Sequence, residues 1–141
     1  MKTQKLVMVS IGTFLIFTLL NGSLAFAQQK MASAWPVPSK SKELKSSIKL
    51  ADPQVIATGR VLWVNHCKSC HGIRGLGDGT QSASLKTFPG DFSRAAFQGS
   101  SDGEIFYRLN KGRDEMPSFE TKIPVVNDRW GLVAVIRTFK K

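Results

Sequence analysis

The stretch from Gly72 to Ser100 constrains the fold more than any other part of the chain. It carries Gly72, Gly75, Gly77, Gly79, Gly90 and Gly99 among serines and aspartates. It shows neither the two-residue alternation of a strand nor a helical repeat. A connection this long without elements of its own is uncommon inside a compact domain. The length makes sense if the loop wraps something that is not protein. The surrounding unit points the same way, because residues 52–141 would make a marginal core unaided.

Three helices bracket the loop. The first begins at Asp52-Pro53, an N-cap followed by proline at the first helical position. Val55, Gly59, Leu62, Trp63 and His66 then share one helical face. The second opens on Ser101-Asp102-Gly103-Glu104, a capping box, runs through Ile105, Phe106 and Leu109, and stops at Gly112. The third starts near Asn127, with Leu132, Val135, Ile136 and Phe139 on one face. No segment reads as a strand and no repeat is visible, so the expected class is all-α, with three main helices and long loops.

Just before the loop stands Cys67-Lys68-Ser69-Cys70-His71, a C-x-x-C-H motif and the attachment signature of c-type haem. Two thiols three positions apart on a helical turn reach the two vinyl groups of one porphyrin and form thioethers. The histidine after Cys70 then lies under the ring, within reach of iron. Three other readings exist. A disulfide oxidoreductase places C-x-x-C at the start of a helix after a strand, where the helix N-terminus lowers the thiol pKa; here the motif closes a helix. A zinc site could draw on His66, Cys67, Cys70 and His71, but structural zinc sites usually pair ligands from two separated segments. A plain Cys67–Cys70 disulfide is the third.

An electron-carrying haem iron takes a second axial ligand, and methionine sulfur raises its potential. Of the four methionines, Met1 and Met8 fall in the leader described below and Met31 in a tail. Met116 follows the helix stop at Gly112 and precedes Pro117, on a stiffened loop, beside Arg113-Asp114-Glu115, which are poor core neighbours. Met116 is the expected sixth ligand opposite His71. His66 is adjacent to Cys67, too close to the proximal anchor to reach the other face, and reads as structural.

Composition sets the remaining bounds. The chain has 141 residues, 20 Lys and Arg against 10 Asp and Glu, and two cysteines. That suits one small domain and excludes both a large multidomain enzyme and a disulfide-dense scaffold. A hydrophobic fraction of 42% and a charged fraction of 21% argue against wholesale disorder. Residues 1–27 read as a secretory signal peptide: Lys2 and Lys5, an apolar run from Leu6 to Leu20, then Ala25-Phe26-Ala27 as a cleavage site. The run is short for a membrane span, so no stable membrane insertion is expected once the signal is cleaved. Losing Lys2 and Lys5 leaves 18 basic and 10 acidic residues, a net charge of +8. Residues 28–51, with five lysines, one acid and two prolines, read as a basic linker or tail carrying half of that charge. A solvated leader or an electrostatic arm would each fit.

The stretch from Gly59 to Phe139 resembles a monohaem class I cytochrome c. The resemblance rests on Gly59-Arg60-x-Leu62-Trp63, Cys67-x-x-Cys70-His71-Gly72, Gly75-x-Gly77-Asp78-Gly79, Pro89-Gly90-Asp91-Phe92, Asp102-Gly103-Glu104-Ile105-Phe106, Gly112-Arg113-x-x-Met116-Pro117-x-Phe119 and Trp130. It implies a cytochrome c domain over residues 52–141, folded around one covalent haem c on Cys67 and Cys70, with His71 and Met116 as axial ligands. It also implies that the first and last helices cross at Gly59. Two departures stand out. Thr80 occupies the position where many relatives have the proline whose carbonyl holds the ligand histidine, so that carbonyl is unassigned. Val135 stands where an aromatic is common, which makes Trp130 the expected aromatic partner at the Gly59 crossing. Candidates for pairing with the haem propionates are Arg94, Arg108, Lys111 and Arg113. Phe88, Phe92, Phe97, Phe106, Phe119 and Phe139 are expected in the core or the pocket wall.

The implied function is single-electron transfer between redox partners, in the periplasm or an equivalent extracytoplasmic space, with no enzymatic chemistry because both axial positions are filled. The positive charge implies partners with acidic docking surfaces rather than nucleic acid, of which the chain carries no binding motif. The alternatives are a haem-carrying subunit bound permanently in a larger dehydrogenase or oxidase complex, and an open-site haem enzyme or gas sensor if Met116 does not ligate.

Overall fold

Both helix starts that the sequence marks with a cap are made as written. In the computed structural model, which describes residues 35–141, the Asp52 carboxylate accepts the backbone N–H of Gln54. At Ser101 the hydroxyl accepts from the Glu104 N–H, while the Glu104 carboxylate accepts from the Ser101 N–H at 2.9 Å. Each pairing satisfies N–H groups that a helix start otherwise leaves open. The elements in chain order are α1 (Ser39–Lys42), α2 (Pro53–His66), α3 (Lys68–His71), a 3₁₀ turn (Ser82–Ser84), α4 (Ala95–Gln98), α5 (Asp102–Lys111) and α6 (Val126–Arg137). No strand occurs among the described residues; one isolated antiparallel bridge joins Arg113 and Met116. The signal peptide expected over residues 1–27 lies outside the described residues.

Helices α2 and α6 cross at close range, and Gly59 permits it. A Cβ on Gly59 would lie 2.1 Å from the Gly131 carbonyl oxygen and 2.9 Å from a Val135 methyl. Val135 and Gly131 therefore fill the crossing where Trp130 was expected. Trp130 instead stacks flat on Phe106 of α5, with centroids 4.0 Å apart and an interplanar angle of 8°. The side chain follows its helical position, about 100° round from residue 131, and so faces α5 rather than α2. Helix α6 is the centre of the core: Leu132, Val133 and Val135 are fully buried, and all residues from Arg129 to Ile136 are buried.

Arg137 ties the end of α6 to the start of α5. Its guanidinium donates to the Asp102 carboxylate at 2.7 Å, to the carbonyls of Gln98 and Ser100, and to the Gln98 side chain. The buried Arg129 donates from one guanidinium nitrogen to the carbonyls of Glu120, Ile123 and Pro124, which fixes the turn leading into α6.

From Trp35 onward, the segment expected as a linker or tail is packed on the domain. Ile48 and Leu50 lie against the core. The Ser101 hydroxyl donates to the Lys42 carbonyl at 2.7 Å, and the Lys42 ammonium stands 3.6 Å from the Glu104 carboxylate. The apolar residues of this arm are too irregularly spaced to read as a helix. Apart from the single turn of α1, its contacts with the core come from isolated residues such as Ile48 and Leu50, which leave no periodic signal.

Candidate functional site

The C-x-x-C-H motif spans a break between two helices. Cys67 ends α2, with its N–H bonded to the Trp63 carbonyl and φ at −120°, outside the helical range. Cys70 and His71 then occupy the single turn of α3. The glycine-rich loop closes the end of that turn. The N–H groups of Gly77, Gly79 and Gln81 bond to the carbonyls of His71, Cys70 and Ser69 at 2.9, 3.3 and 2.8 Å. These carbonyls would otherwise be the open acceptors of a helix end. The loop that looked structureless in sequence is thus a backbone brace for the motif. The Trp63 indole N–H adds a bond to the Gly72 carbonyl at 3.1 Å.

His71 sits in an aromatic box. Its ring centroid is 4.7 Å from that of Phe92 and 5.9 Å from that of Trp63, and Phe97 stacks on Phe92 at 4.3 Å. Burial pushes the His71 pKa down to about 4. The Pro89 carbonyl works in the opposite direction, although Nδ1 is buried without a partner at full hydrogen-bond geometry. Pro89 is thus the candidate for the carbonyl left unassigned by Thr80, with no hydrogen bond to His71 formed. Its signal was present in Pro89-Gly90-Asp91-Phe92, further along the loop than the expected position. At neutral pH the ring is neutral, the form that donates a lone pair to a metal.

Met116 is presented by a tight turn. Arg113 and Met116 exchange two backbone hydrogen bonds, N–H to carbonyl in each direction, at 2.8 and 2.9 Å. Asp114 between them adopts φ of 51°, a left-handed conformation that aspartate tolerates better than most residues. The Glu115 carboxylate reaches across to the other side of the cavity mouth. It accepts the backbone N–H groups of Lys86 at 2.9 Å and Thr87 at 3.1 Å.

Cys67, Cys70, His71 and Met116 all line one cavity of about 350 Å³, within the range of small-molecule and cofactor sites. Its walls are mainly apolar: Trp63, Phe88, Phe92, Phe97, Ile105, Leu109, Phe119 and Ile136 contribute. Phe106 and Phe139 do not reach it. Phe106 pairs with Trp130, and Phe139 packs edge-on against Trp63 at 4.9 Å. His66 stays on the rim, exposed, its ring 6.3 Å from Phe119. Of the four basic residues considered for propionates, Arg108 and Arg113 line the cavity. Arg94 pairs with Asp91 and Lys111 with Glu120, both away from it. Trp35, from the arm, also lines the cavity; no motif flagged it in the sequence.

The donor chemistry and the enclosure suit a haem better than the other readings of two nearby cysteines. The thiols are unpaired. Burial, and secondarily the neighbouring Cys70, push the Cys67 thiol up to about 12, the opposite of the lowered pKa that disulfide exchange needs. Among the described residues, no three His, Cys, Asp or Glu side chains converge as a metal cluster, so the four-ligand zinc arrangement lacks its geometry. The buried imidazole, two thiols and a thioether around one apolar space fit covalent haem c, with Arg108 and Arg113 the basic residues on its lining, although each already meets a carboxylate, Glu104 at 3.9 Å and Asp114 at 3.4 Å.

Comparison with known proteins agrees. Residues 54–136 match the family described as cytochrome c oxidase, cbb3-type, subunit III. No curated protein sequence matches the chain. Among solved structures, the chain is similar to the KustC0563 c-type cytochrome, with 34% identity and a TM-score of 0.52, over 59% of this chain and 98% of that one. It also resembles the Kuenenia stuttgartiensis reducing HAO-like protein complex Kustc0457/Kustc0458, with 23% identity and a TM-score of 0.59, over 72% of this chain and 53% of that one; this second likeness is one of fold. The all-α cytochrome c fold, the cavity and these matches lead to one conclusion: the chain belongs to the cytochrome c domain family described as cytochrome c oxidase, cbb3-type, subunit III.

Proposed function

We propose that this protein is an exported single-electron carrier holding one haem c, bound through thioethers to Cys67 and Cys70 and ligated by His71 and Met116. The observation that carries the reading is the meeting of these four side chains around one apolar cavity although Met116 lies far from the motif in sequence. Bound there, the haem supplies a one-electron iron couple. The chain's residues do the rest. The brace of the Gly72–Ser100 loop on α3 holds His71 in place, and the aromatic rings around it fix its orientation. The Arg113–Met116 turn offers the thioether, and with His71 and Met116 both engaged no position would remain for bond chemistry. The mainly aromatic and aliphatic walls would lower the polarity around the iron, one of the levers on its potential. The charge of the mature chain supports redox partners with acidic docking surfaces and a salt-dependent on-rate.

Visible spectra of the purified protein test this. The expected result is a low-spin c-type spectrum whose sulfur–iron band disappears in Met116→Ala and which ignores carbon monoxide in the wild type. Carbon monoxide binding to the reduced wild type would reject Met116 as ligand and favour a haem enzyme or sensor. The mass of the purified protein, with or without residues 1–27, decides export with cleavage. A second reading is a haem subunit held in a larger assembly. The matched family is described as an oxidase subunit, and the second structural neighbour is named as a protein complex. Hydrodynamic size in native extracts separates a free carrier from a subunit.

A further inference from the structure

The arm supplies none of the four donor side chains, yet it reaches their cavity. Trp35 forms part of the lining. The Arg113 guanidinium lies over the Trp35 ring, 4.7 Å from its centroid. Arg113 is also the residue whose backbone exchanges two hydrogen bonds with Met116. The indole therefore grips the side chain of the residue that fixes the Met116 backbone.

The geometry points to Trp35 as a positioning residue: an aromatic clasp, delivered by the N-terminal arm, that holds the Arg113–Met116 turn in place and sets how firmly Met116 stays on the iron. The inference rests on the proposed ligation by Met116 and adds what controls it. A cation over an indole face is the strongest of the cation–π pairings. Arg113 suits the role because its planar guanidinium stacks on an aromatic face in a way a lysine ammonium does not.

The clasp needs a fixed arm, and the structure provides one. Pro36 and Pro38 stiffen the chain after Trp35. Next, α1 lies across the start of α5, with the Lys42 carbonyl bonded to Ser101. The approach is closest at Gly103, where a Cβ would stand 2.4 Å from the Ser41 carbonyl oxygen and 2.9 Å from that of Leu44. Gly103 is thus a second handle on the clasp. Gly103→Ala improves the helix propensity of α5 but forces the arm away, and it alters no side chain that lines the cavity.

The test is imidazole binding to the haem-loaded ferric protein, followed by loss of the sulfur–iron band. Trp35→Ala is expected to bind imidazole about five-fold more tightly than wild type, the equivalent of about 1 kcal/mol of lost clasp, and to have a lower reduction potential. Gly103→Ala should shift both in the same direction, while Trp35→Phe stays near wild type. Amide exchange at Arg113 and Met116 gives a readout independent of the iron and should accelerate in Trp35→Ala and Gly103→Ala. Unchanged imidazole affinity and unchanged exchange in both variants would overturn the clasp. Absence of the sulfur–iron band in wild type would overturn Met116 ligation instead, and the exchange rates alone would then decide whether Trp35 holds the turn.

Discussion

Gly59 and Gly131 look alike in sequence, each a glycine inside a helix, and they should respond in opposite ways to alanine. Either substitution gains about 1 kcal/mol of helix propensity. At Gly131 the new methyl would meet its nearest neighbours, the Val55 carbonyl and the Gly59 backbone, at 3.4–3.5 Å, which is ordinary contact. At Gly59 it would lie 2.1 Å from the Gly131 carbonyl oxygen and 2.6 Å from its carbon. Those atoms are backbone and cannot swing aside, so α2 and α6 must separate and the fully buried Val135 loses its packing. Overpacking of this kind costs about 1–3 kcal/mol or more. A backbone clash belongs at the upper end, which leaves Gly59→Ala destabilised by about 2 kcal/mol after the propensity gain. For a domain of this size that is a fall in Tm of about 10 °C. Thermal unfolding of the haem-loaded variants, followed by far-ultraviolet circular dichroism, measures both. Gly131→Ala should hold or raise Tm. Equal shifts in the two variants would refute the assignment of Gly59 as the point of closest approach.

Three further outcomes follow from the same contacts. Glu115→Gln removes the carboxylate that accepts two backbone N–H groups; amide exchange at Lys86 and Thr87 should quicken about five-fold, for a loss of about 1 kcal/mol. Arg137→Ala should lower stability in urea by about 2 kcal/mol because it breaks the tie between α5 and α6, and Arg137→Lys should not restore it, since a lysine ammonium lacks the planar fork. Asp91 is held below the usual carboxylate range, chiefly by the Ser93 hydroxyl. Its folded pKa is the depressed one, so its contribution is complete above the unfolded value near 4 and is lost as pH falls through the folded value. The stability gap between wild type and Asp91→Asn should therefore be flat at neutral pH and close in acid.

What could be read from the sequence was whatever depends on neighbours along the chain. The Asp52 cap, the Ser101–Glu104 capping box and the helix stop at Gly112 are each complete within a few residues, and each stands where it was expected. What could not be read depends on where a chain end or a side chain travels in space. In sequence, the lack of an aromatic at Val135 points to Trp130 as the aromatic partner of the Gly59 crossing. The helical turn sends it to Phe106 instead, and the crossing is closed by Gly131, which has no side chain to announce itself. The single turn of α3 and the brace on its carbonyls were hidden for a related reason. A loop built from backbone hydrogen bonds to another segment has no periodicity of its own.

The arm changes how the charge of this protein acts. Read as a tail, residues 28–51 would spread their lysines through solvent, where such charge attracts a partner without orienting it. In the structure Lys40, Lys42, Lys45 and Lys49 are exposed on a segment held against α5 and the core. Fixed charges give the molecule a direction as well as a sign, and a directed field selects among encounter orientations. The same segment places Trp35 in the cavity lining beside the Met116 turn. Displacing the arm should therefore change docking and the iron site together. Neutralising Lys45 and Lys49, which are exposed and do not line the cavity, should slow association at low salt and leave the spectrum unchanged.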